Sequence, residues 1–292
     1  MSATEIVTRS VARLQNSLTV VPLLSRVSNS VARLSSLGAL NSVSSRNRRI
    51  ASTGDSPLRE AAAHQPERSN LRQNLLVAET VVVFAGGPGP LPRIAIPLGA
   101  TLIAADGGLE LASDLGLEVD LAVGDFDSVA ETKLEGVPSE RHPAAKDATD
   151  LELALATALE LGPRRLVVVG SAGGRLDHLL GGLLLLAADA YRDCVVDAQL
   201  GSAVVHVVHG TRELEGMRGE LISLFALGGD AHGVATEGLV YPLRGEMLAV
   251  SSTRGVSNEF AEAVARISVR DGVLLAVRPD ATLELAGPAA RG

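Results

Sequence analysis

The stretch T-L-I-A-A-D-G-G-L-E-L-A-S-D-L-G-L-E-V-D-L-A-V-G-D-F-D-S (Thr101–Ser128) decides the fold. It opens with an apolar run, Thr101–Ala105, stopped by Asp106-Gly107-Gly108, and a short helical pattern follows over Gly108–Leu115. A second apolar run, Leu121–Val123, is stopped by Gly124-Asp125. Continuous apolar runs, rather than alternating ones, describe strands buried on both faces, as in a parallel sheet. Ligands of such sheets sit at the carboxyl ends of the strands, where these aspartates fall.

The same grammar extends in both directions. Thr80–Ala85 (T-V-V-V-F-A) precedes Gly86-Gly87-Pro88, and Leu166–Val169 precedes Gly170. Thr149–Leu161 reads as a helix with Leu151, Leu155, Ala158 and Leu159 on one face, stopped by Gly162-Pro163. Asp177–Ala188 is apolar almost all round and reads as a buried helix. Beyond about Val205 the helical patterns fade. Short candidate strands follow at Glu220–Ala226, Gly233–Thr236, Met247–Val250, Ala263–Arg270, Val273–Val277 and Thr282–Leu285. Turn residues separate them, and Asp271-Gly272 reads as a hairpin. The expected fold is α/β: a doubly wound, mainly parallel sheet over 76–205, then an antiparallel β-sandwich over 206–292.

Residues 1–75 have a different character. Through Gly54, seven arginines against one acid, Glu5, make the segment +6, leaving −14 for the rest of a chain whose formal charge is −8. Serine is abundant, and S-V-A-R-L occurs at Ser10–Leu14 and again at Ser30–Leu34. Two copies are too few for a solenoid. The segment reads as a disordered extension, a mis-assigned start or a transit segment, and lies outside the fold argument.

Composition narrows the function classes. Hydrophobic residues make up 46% of the chain but aromatics only 2%, with no Trp, so the core must be built from Leu, Val and Ala. The acidic balance argues against a nucleic-acid partner. The lone Cys194 excludes a disulfide framework and a cysteine-based zinc site, and suits a reducing, cytoplasmic setting. The longest apolar stretch, Leu179–Ala188, is about half the length a membrane span needs, roughly twenty residues.

Six aspartates carry the chemistry: Asp106 in A-D-G-G, Asp125 and Asp127 in G-D-F-D-S, Asp147 and Asp150 in K-D-A-T-D, and Asp177 in G-G-R-L-D-H. Carboxylates gathered at strand ends repel one another unless a cation neutralises them. A hard divalent metal carrying a polyphosphate would do so. Asp125 and Asp127 at i and i+2 can chelate one metal, or can form a polar turn in which Asp125 caps a helix. In K-D-A-T-D, Thr149 or Asp150 can serve as the N-cap of the next helix, while Lys146, one of only two lysines, suits a phosphate. Gly170–His178 reads as strand, glycine turn and helix: either an anion site of backbone amides and helix N-terminus, where Arg175 can clamp a phosphate, or a bare turn. It is neither a Walker loop nor a dinucleotide fingerprint. No nucleophile elbow is present, and Cys194 reads as an inert buried thiol.

Taken in order over about residues 80–280, these motifs resemble the thiamine pyrophosphokinase family. The resemblance continues through G-E-L-I-S-L (Gly219–Leu224), L-G-G, E-G-L-V-Y-P-L (Glu237–Leu243) and G-V-S-N-E (Gly255–Glu259). It implies a homodimer that transfers the pyrophosphoryl group of ATP to the thiamine hydroxyl, with Mg²⁺, releasing AMP. By resemblance, Asp125 and Asp127 hold Mg²⁺ with Asp106 beside them, and Asp147 and Asp150 complete the acidic cluster, Asp150 facing the hydroxyl. Lys146, Thr149, Gly174, Arg175, Asp177 and His178 meet the nucleotide and its phosphates. Ser257, Asn258 and Phe260 contribute to the thiamine pocket, across the dimer interface. The chain departs from the family in having Gly181-Gly182 where Asn is often found, and in having only Phe260 and Tyr241 as candidate aromatics for the pyrimidine. A pyrophosphokinase for another hydroxymethyl heterocycle, such as a pterin, and a non-catalytic nucleotide-binding protein of the same fold stand as the alternatives.

Overall fold

The computed structural model describes residues 79–127 and 129–285; the expected extension over 1–75 lies outside these residues, as does Ser128. At the centre is β1 (Thr80–Ala85), flanked in parallel by β2 (Thr101–Ala105) and β5 (Arg165–Gly170). Beyond β2 lie β3 (Leu121–Gly124) and β4 (Ser139–Arg141); beyond β5 lies β6 (Val195–Leu200). The order β4-β3-β2-β1-β5-β6 means that the chain moves outward from β1 on one side, then crosses back to the other. The switch point lies at the carboxyl ends of β1 and β5, where an open α/β sheet forms its crevice.

Helices cover both faces of the sheet. On one face α1 (Gly108–Asp114) sets Leu111 and Ala112 among Val82, Phe84 and Leu102. On the other, α3 (Asp150–Glu160) sets Leu153, Leu155 and Ala158 among Val81, Val83 and Ile103. Each buried leucine contributes roughly 1.5–3 kcal/mol. A short α2 (Glu131–Leu134) follows β3, and α4 (Leu176–Leu186) follows β5.

The sheet continues without a break into antiparallel strands. β7 (Ala203–Val208) turns back on β6, and β13 (Asp271–Arg278) pairs with β7. β9 (Leu221–Glu237) pairs first with β13, then with β10 (Arg244–Leu248) and β12 (Val264–Ser268). β8 (Thr211–Glu215) flanks β12, and a two-residue β11 (Asn258–Glu259) pairs with the start of β9. The doubly wound sheet and the antiparallel β region after it are as the sequence predicts.

Four details differ. Glu220–Ala226 and Gly233–Thr236 are parts of one strand, because Gly228 and Gly233 take left-handed φ values of 74° and 65° and let the chain bend without ending. Asp271-Gly272 is no hairpin, since β9 lies between β12 and β13. Gly272 instead packs beneath Asp230, where a Cβ would lie 2.9 Å from a carbonyl oxygen. Thr282–Leu285 forms a single bridge, Leu283 to Ile94. Of α4 only Leu186 is buried, and Leu176, Leu180 and Leu184 stand on solvent at one-turn spacing. Apolar character all round therefore marks a helix with an open face.

One carboxylate lies deep in the sheet. Asp197 of β6 is fully buried and meets Arg165 at 2.7 Å, His206 Nδ1 at 2.7 Å and Arg212 at 2.5 Å. Burial alone would raise its pKa, but the hydrogen bond from His206 and the two guanidiniums hold it well below the usual carboxylate range. Burial pushes His206 down, so the neutral ring donates from Nδ1. The knot ties β5 and β6 of the parallel sheet to β7 and β8.

Candidate active site

Two sharp turns bring three aspartates together. Asp106 leaves β2 at φ 40° and donates its N–H to Val123 O at 2.9 Å. Phe126, between Asp125 and Asp127, has φ 56°. A non-glycine residue in the left-handed region costs about 1–2 kcal/mol, a strain that is common at functional sites. Glycines supply the close approaches. A Cβ on Gly124 would lie 3.2 Å from Asp106 Cα, and one on Gly108 would lie 1.9 Å from Phe84 O. The A-D-G-G and G-D motifs thus need glycine so that neighbouring strand ends can touch.

Asp106, Asp125 and Asp127 each offer an oxygen within 4.8 Å of the other two. Two oxygens on one octahedral Mg²⁺ lie about 2.9 to 4.2 Å apart, so three hard donors at this spacing fit that ion after small side-chain movements. Asp125 Oδ1 accepts the Asp127 N–H at 3.3 Å, and Oδ2 accepts from Lys146 Nζ at 2.9 Å. Lys146 reaches Asp150 Oδ1 at 2.8 Å with the same ammonium. Its hydrogen bond, the largest influence on Asp125, lowers that carboxyl's pKa. For Lys146 burial opposes the charge, but the two carboxylates outweigh it and raise the pKa.

The beginning of α3 fixes this arrangement. Thr149 is its N-cap and accepts the Glu152 N–H at 3.2 Å, while Asp150 occupies the first turn, where the helix dipole favours an anion. Between Thr149 and Asp150 as the cap, the structure shows Thr149. Asp147 is exposed. Arg141 of β4 is a site residue the sequence reading missed. Its guanidinium lies 5.3 Å from the Phe126 ring centroid, pairs with Glu131 at 2.7 Å and reaches the Asp125 carbonyl at 3.4 Å. Only the pairing of β4 with β3, Gly124 opposite Arg141, singles it out from 24 arginines.

At the switch point, Gly86–Gly89 lies against Ser171–Gly174. Ser171 Oγ donates to Pro88 O and accepts the Gly173 N–H. Gly174 has φ 88°, and a Cβ there would lie 2.7 Å from Pro88 Cδ. The loop after β1, read from sequence only as a strand stop, is half of this cradle. Arg175 and Asp177 pair at 2.6 Å on the surface at the start of α4, with His178 beside them. That pairing holds Asp177 down to about 2. Asp177 is not among the three clustered carboxylates.

A second group lies along β9 and β11. Ser257 has φ 59° and donates its N–H to Ser223 Oγ at 3.0 Å. Asn258 is buried; it accepts from Tyr241 N at 3.0 Å and from Glu259 N at 2.9 Å, and donates to Tyr241 O at 2.8 Å. Its amide braces the E-G-L-V-Y-P-L loop. Phe260, a candidate for stacking on a substrate, is 0% exposed and packs under Gly216 and Arg278, so its ring is part of the core. Tyr241 is the exposed aromatic of this group.

The chain is similar to known proteins along this whole span. The model of the thiamin pyrophosphokinase catalytic domain matches residues 99–196, and that of its vitamin B1 binding domain matches residues 205–274. A curated thiamine pyrophosphokinase from Bacillus subtilis (strain 168) is 32% identical over 216 residues, covering 68% of this chain and 98% of the relative. The chain belongs to the thiamin pyrophosphokinase family. The crystal structure of the thiamine pyrophosphokinase from Bacillus subtilis superposes with a TM-score of 0.61 at 27% identity, covering 69% of this chain and 99% of that one. The one from Geobacillus thermodenitrificans gives 0.59 at 26%, covering 69% and 97%. The Candida albicans enzyme shares the fold, with a TM-score of 0.56 at 14% identity over 70% of this chain and 92% of that one.

Proposed function

We infer that this chain transfers the pyrophosphoryl group of ATP to the hydroxyl of thiamine, giving thiamine diphosphate and AMP. The observation that carries this reading is the Asp106–Asp125–Asp127 cluster at the ends of β2 and β3, beside Lys146 and Asp150, in a chain of this family. The three aspartates would hold Mg²⁺, which supplies charge neutralisation for the phosphates. Phosphoryl transfer depends mainly on positioning and charge stabilisation, so the side chains have few chemical duties. Lys146, Arg175 and the cradle at Gly174 bind phosphate oxygens, with Asp177 and His178 at the nucleotide. The thiamine oxygen attacks the β-phosphorus, the bond to the α-phosphate oxygen breaks, and AMP leaves with that electron pair. Asp150, with Asp147 nearby, orients the hydroxyl and takes its proton.

In this reading residues 76–205 serve ATP and residues 206–292 serve thiamine. Ser257, the loop held by Asn258, and Tyr241 form the thiamine side. The match to a vitamin B1 binding domain favours thiamine over a pterin. The working form is a homodimer with its sites at the subunit interface, and the open leucine face of α4 supports an association surface. Cys194 as the only cysteine suits a reducing cytoplasm. Among the described residues no helix is long and apolar enough to cross a membrane.

Purified protein supplied with ATP, Mg²⁺ and thiamine should release AMP and thiamine diphosphate in equal amounts. No AMP release at saturating substrate overturns the reading. Turnover of a hydroxymethylpterin in place of thiamine would transfer it to the pterin alternative.

A further inference from the structure

Both oxygens of Asp125 are engaged before any metal arrives: Oδ1 by the Asp127 N–H and Oδ2 by the Lys146 ammonium. The same ammonium bonds Asp150 at 2.8 Å, and its side chain is 14% exposed. We propose that Lys146 is a resident counter-cation that occupies the metal's claim on Asp125 and yields it when a polyphosphate arrives, so that metal and nucleotide enter together. This rests on the reading of Asp106, Asp125 and Asp127 as metal ligands.

A free divalent ion that takes Asp125 must sit beside a unit positive charge already bonded to the same carboxylate. Without nucleotide the ammonium gains no new anion by moving, since it already holds Asp150. A polyphosphate changes this balance by offering oxygens of its own. Lysine suits the task because its ammonium is a compact point charge on a flexible stem, whereas a guanidinium is a rigid fork. Arg141 differs: it pairs with Glu131, covers Phe126 and reaches the Asp125 carbonyl. Lys146, which already bridges two carboxylates, is therefore a cation able to move between partners, and it couples the two ligands.

The test is the affinity of the full chain for Mn²⁺ alone, with no nucleotide, read from the electron paramagnetic resonance signal of the free ion. Lys146→Gln should bind Mn²⁺ roughly tenfold more tightly than the unaltered chain. Lys146→Arg, which keeps the charge, should stay close to the unaltered chain. Equal or weaker Mn²⁺ binding by Lys146→Gln overturns the proposal, as does an equal gain in Lys146→Arg. Adding Asp125→Asn to Lys146→Gln should remove the gain. If the double variant binds Mn²⁺ as tightly as Lys146→Gln, the assignment of Asp125 as a ligand is what fails. A gain in Lys146→Gln that disappears in the double variant supports both.

Discussion

The two aspartate clusters of this fold have opposite charge balances. Around Asp197 a single buried carboxylate is met by two guanidiniums and an imidazole, all within hydrogen-bond distance. At the ends of β2 and β3, three carboxylates converge and Asp150 lies close by, yet the side-chain bonds that neutralise Asp125 and Asp150 come from one ammonium. In the first, the carboxylate is satisfied by the fold. The second gathers its carboxylates around one shared ammonium, is partly exposed, and is built on strained residues at 40° and 56°. Sites that bind are drawn from such unfinished arrangements, while completed ones hold the chain together.

The sharpest way to separate the clusters is to remove one carboxylate from each. Asp125→Ala should lower turnover by about a thousandfold or more, since charge stabilisation is the largest catalytic term at such a site. Its thermal midpoint should fall only slightly, because the lost Lys146 bond is in a partly exposed site and Lys146 keeps Asp150. An AMP-release assay alongside calorimetry checks both; retained turnover would place the metal elsewhere. Asp197→Ala should do the reverse. It leaves Arg165 and Arg212 partly buried without their shared partner, a loss of about 3–5 kcal/mol by the usual cost of breaking a buried pair. Urea unfolding would measure this, and a loss below about 1 kcal/mol would show the knot to be dispensable.

Acid titration gives the next difference. The folded-state pKa of Asp197 lies below its unfolded value of about 3.9, so its contribution is complete above that value. The contribution is lost as pH falls through the folded pKa, because the unfolded chain binds the proton first. Stability should therefore fall below about pH 4, and Asp197→Asn should flatten that decline. An unchanged acid limb in the variant would assign the decline to other carboxylates.

The same contrast explains what the sequence reveals. β1 and β2 are legible to the residue because apolar runs end in glycine or aspartate, and Asp106 and Asp125 are legible because each follows such a run. β6 is not. Its sequence V-V-D-A-Q-L carries Asp197 and Gln199 at fully buried positions, and polar residues interrupt the apolar run that announces a buried strand. Gln199 is satisfied from far along the chain, donating to Ala281 O at 3.2 Å and accepting from Leu283 N at 2.7 Å. Arg141 stays hidden for the same reason: its meaning lies in a strand pairing that no local pattern encodes. Phe260 errs in the other direction. Its neighbourhood in S-N-E-F suggests a pocket, and tertiary packing over Gly216 turns it into core.

The smallest expected effect lies where the two kinds of role meet in one residue. Thr149 sits within K-D-A-T-D, between residues of the site, yet its hydroxyl oxygen accepts from Glu152 N and so serves the helix. Thr149→Ala should cost about 1 kcal/mol of stability, the usual worth of an N-cap. Because the cap also aims Asp150 at Lys146, a second effect on turnover is expected, on the order of a few-fold rather than a thousandfold. Thr149→Ser, which keeps the oxygen, should restore both. If it restores stability but leaves turnover low, the threonine methyl takes part in the site, and Thr149 belongs with the unfinished cluster rather than with the helix.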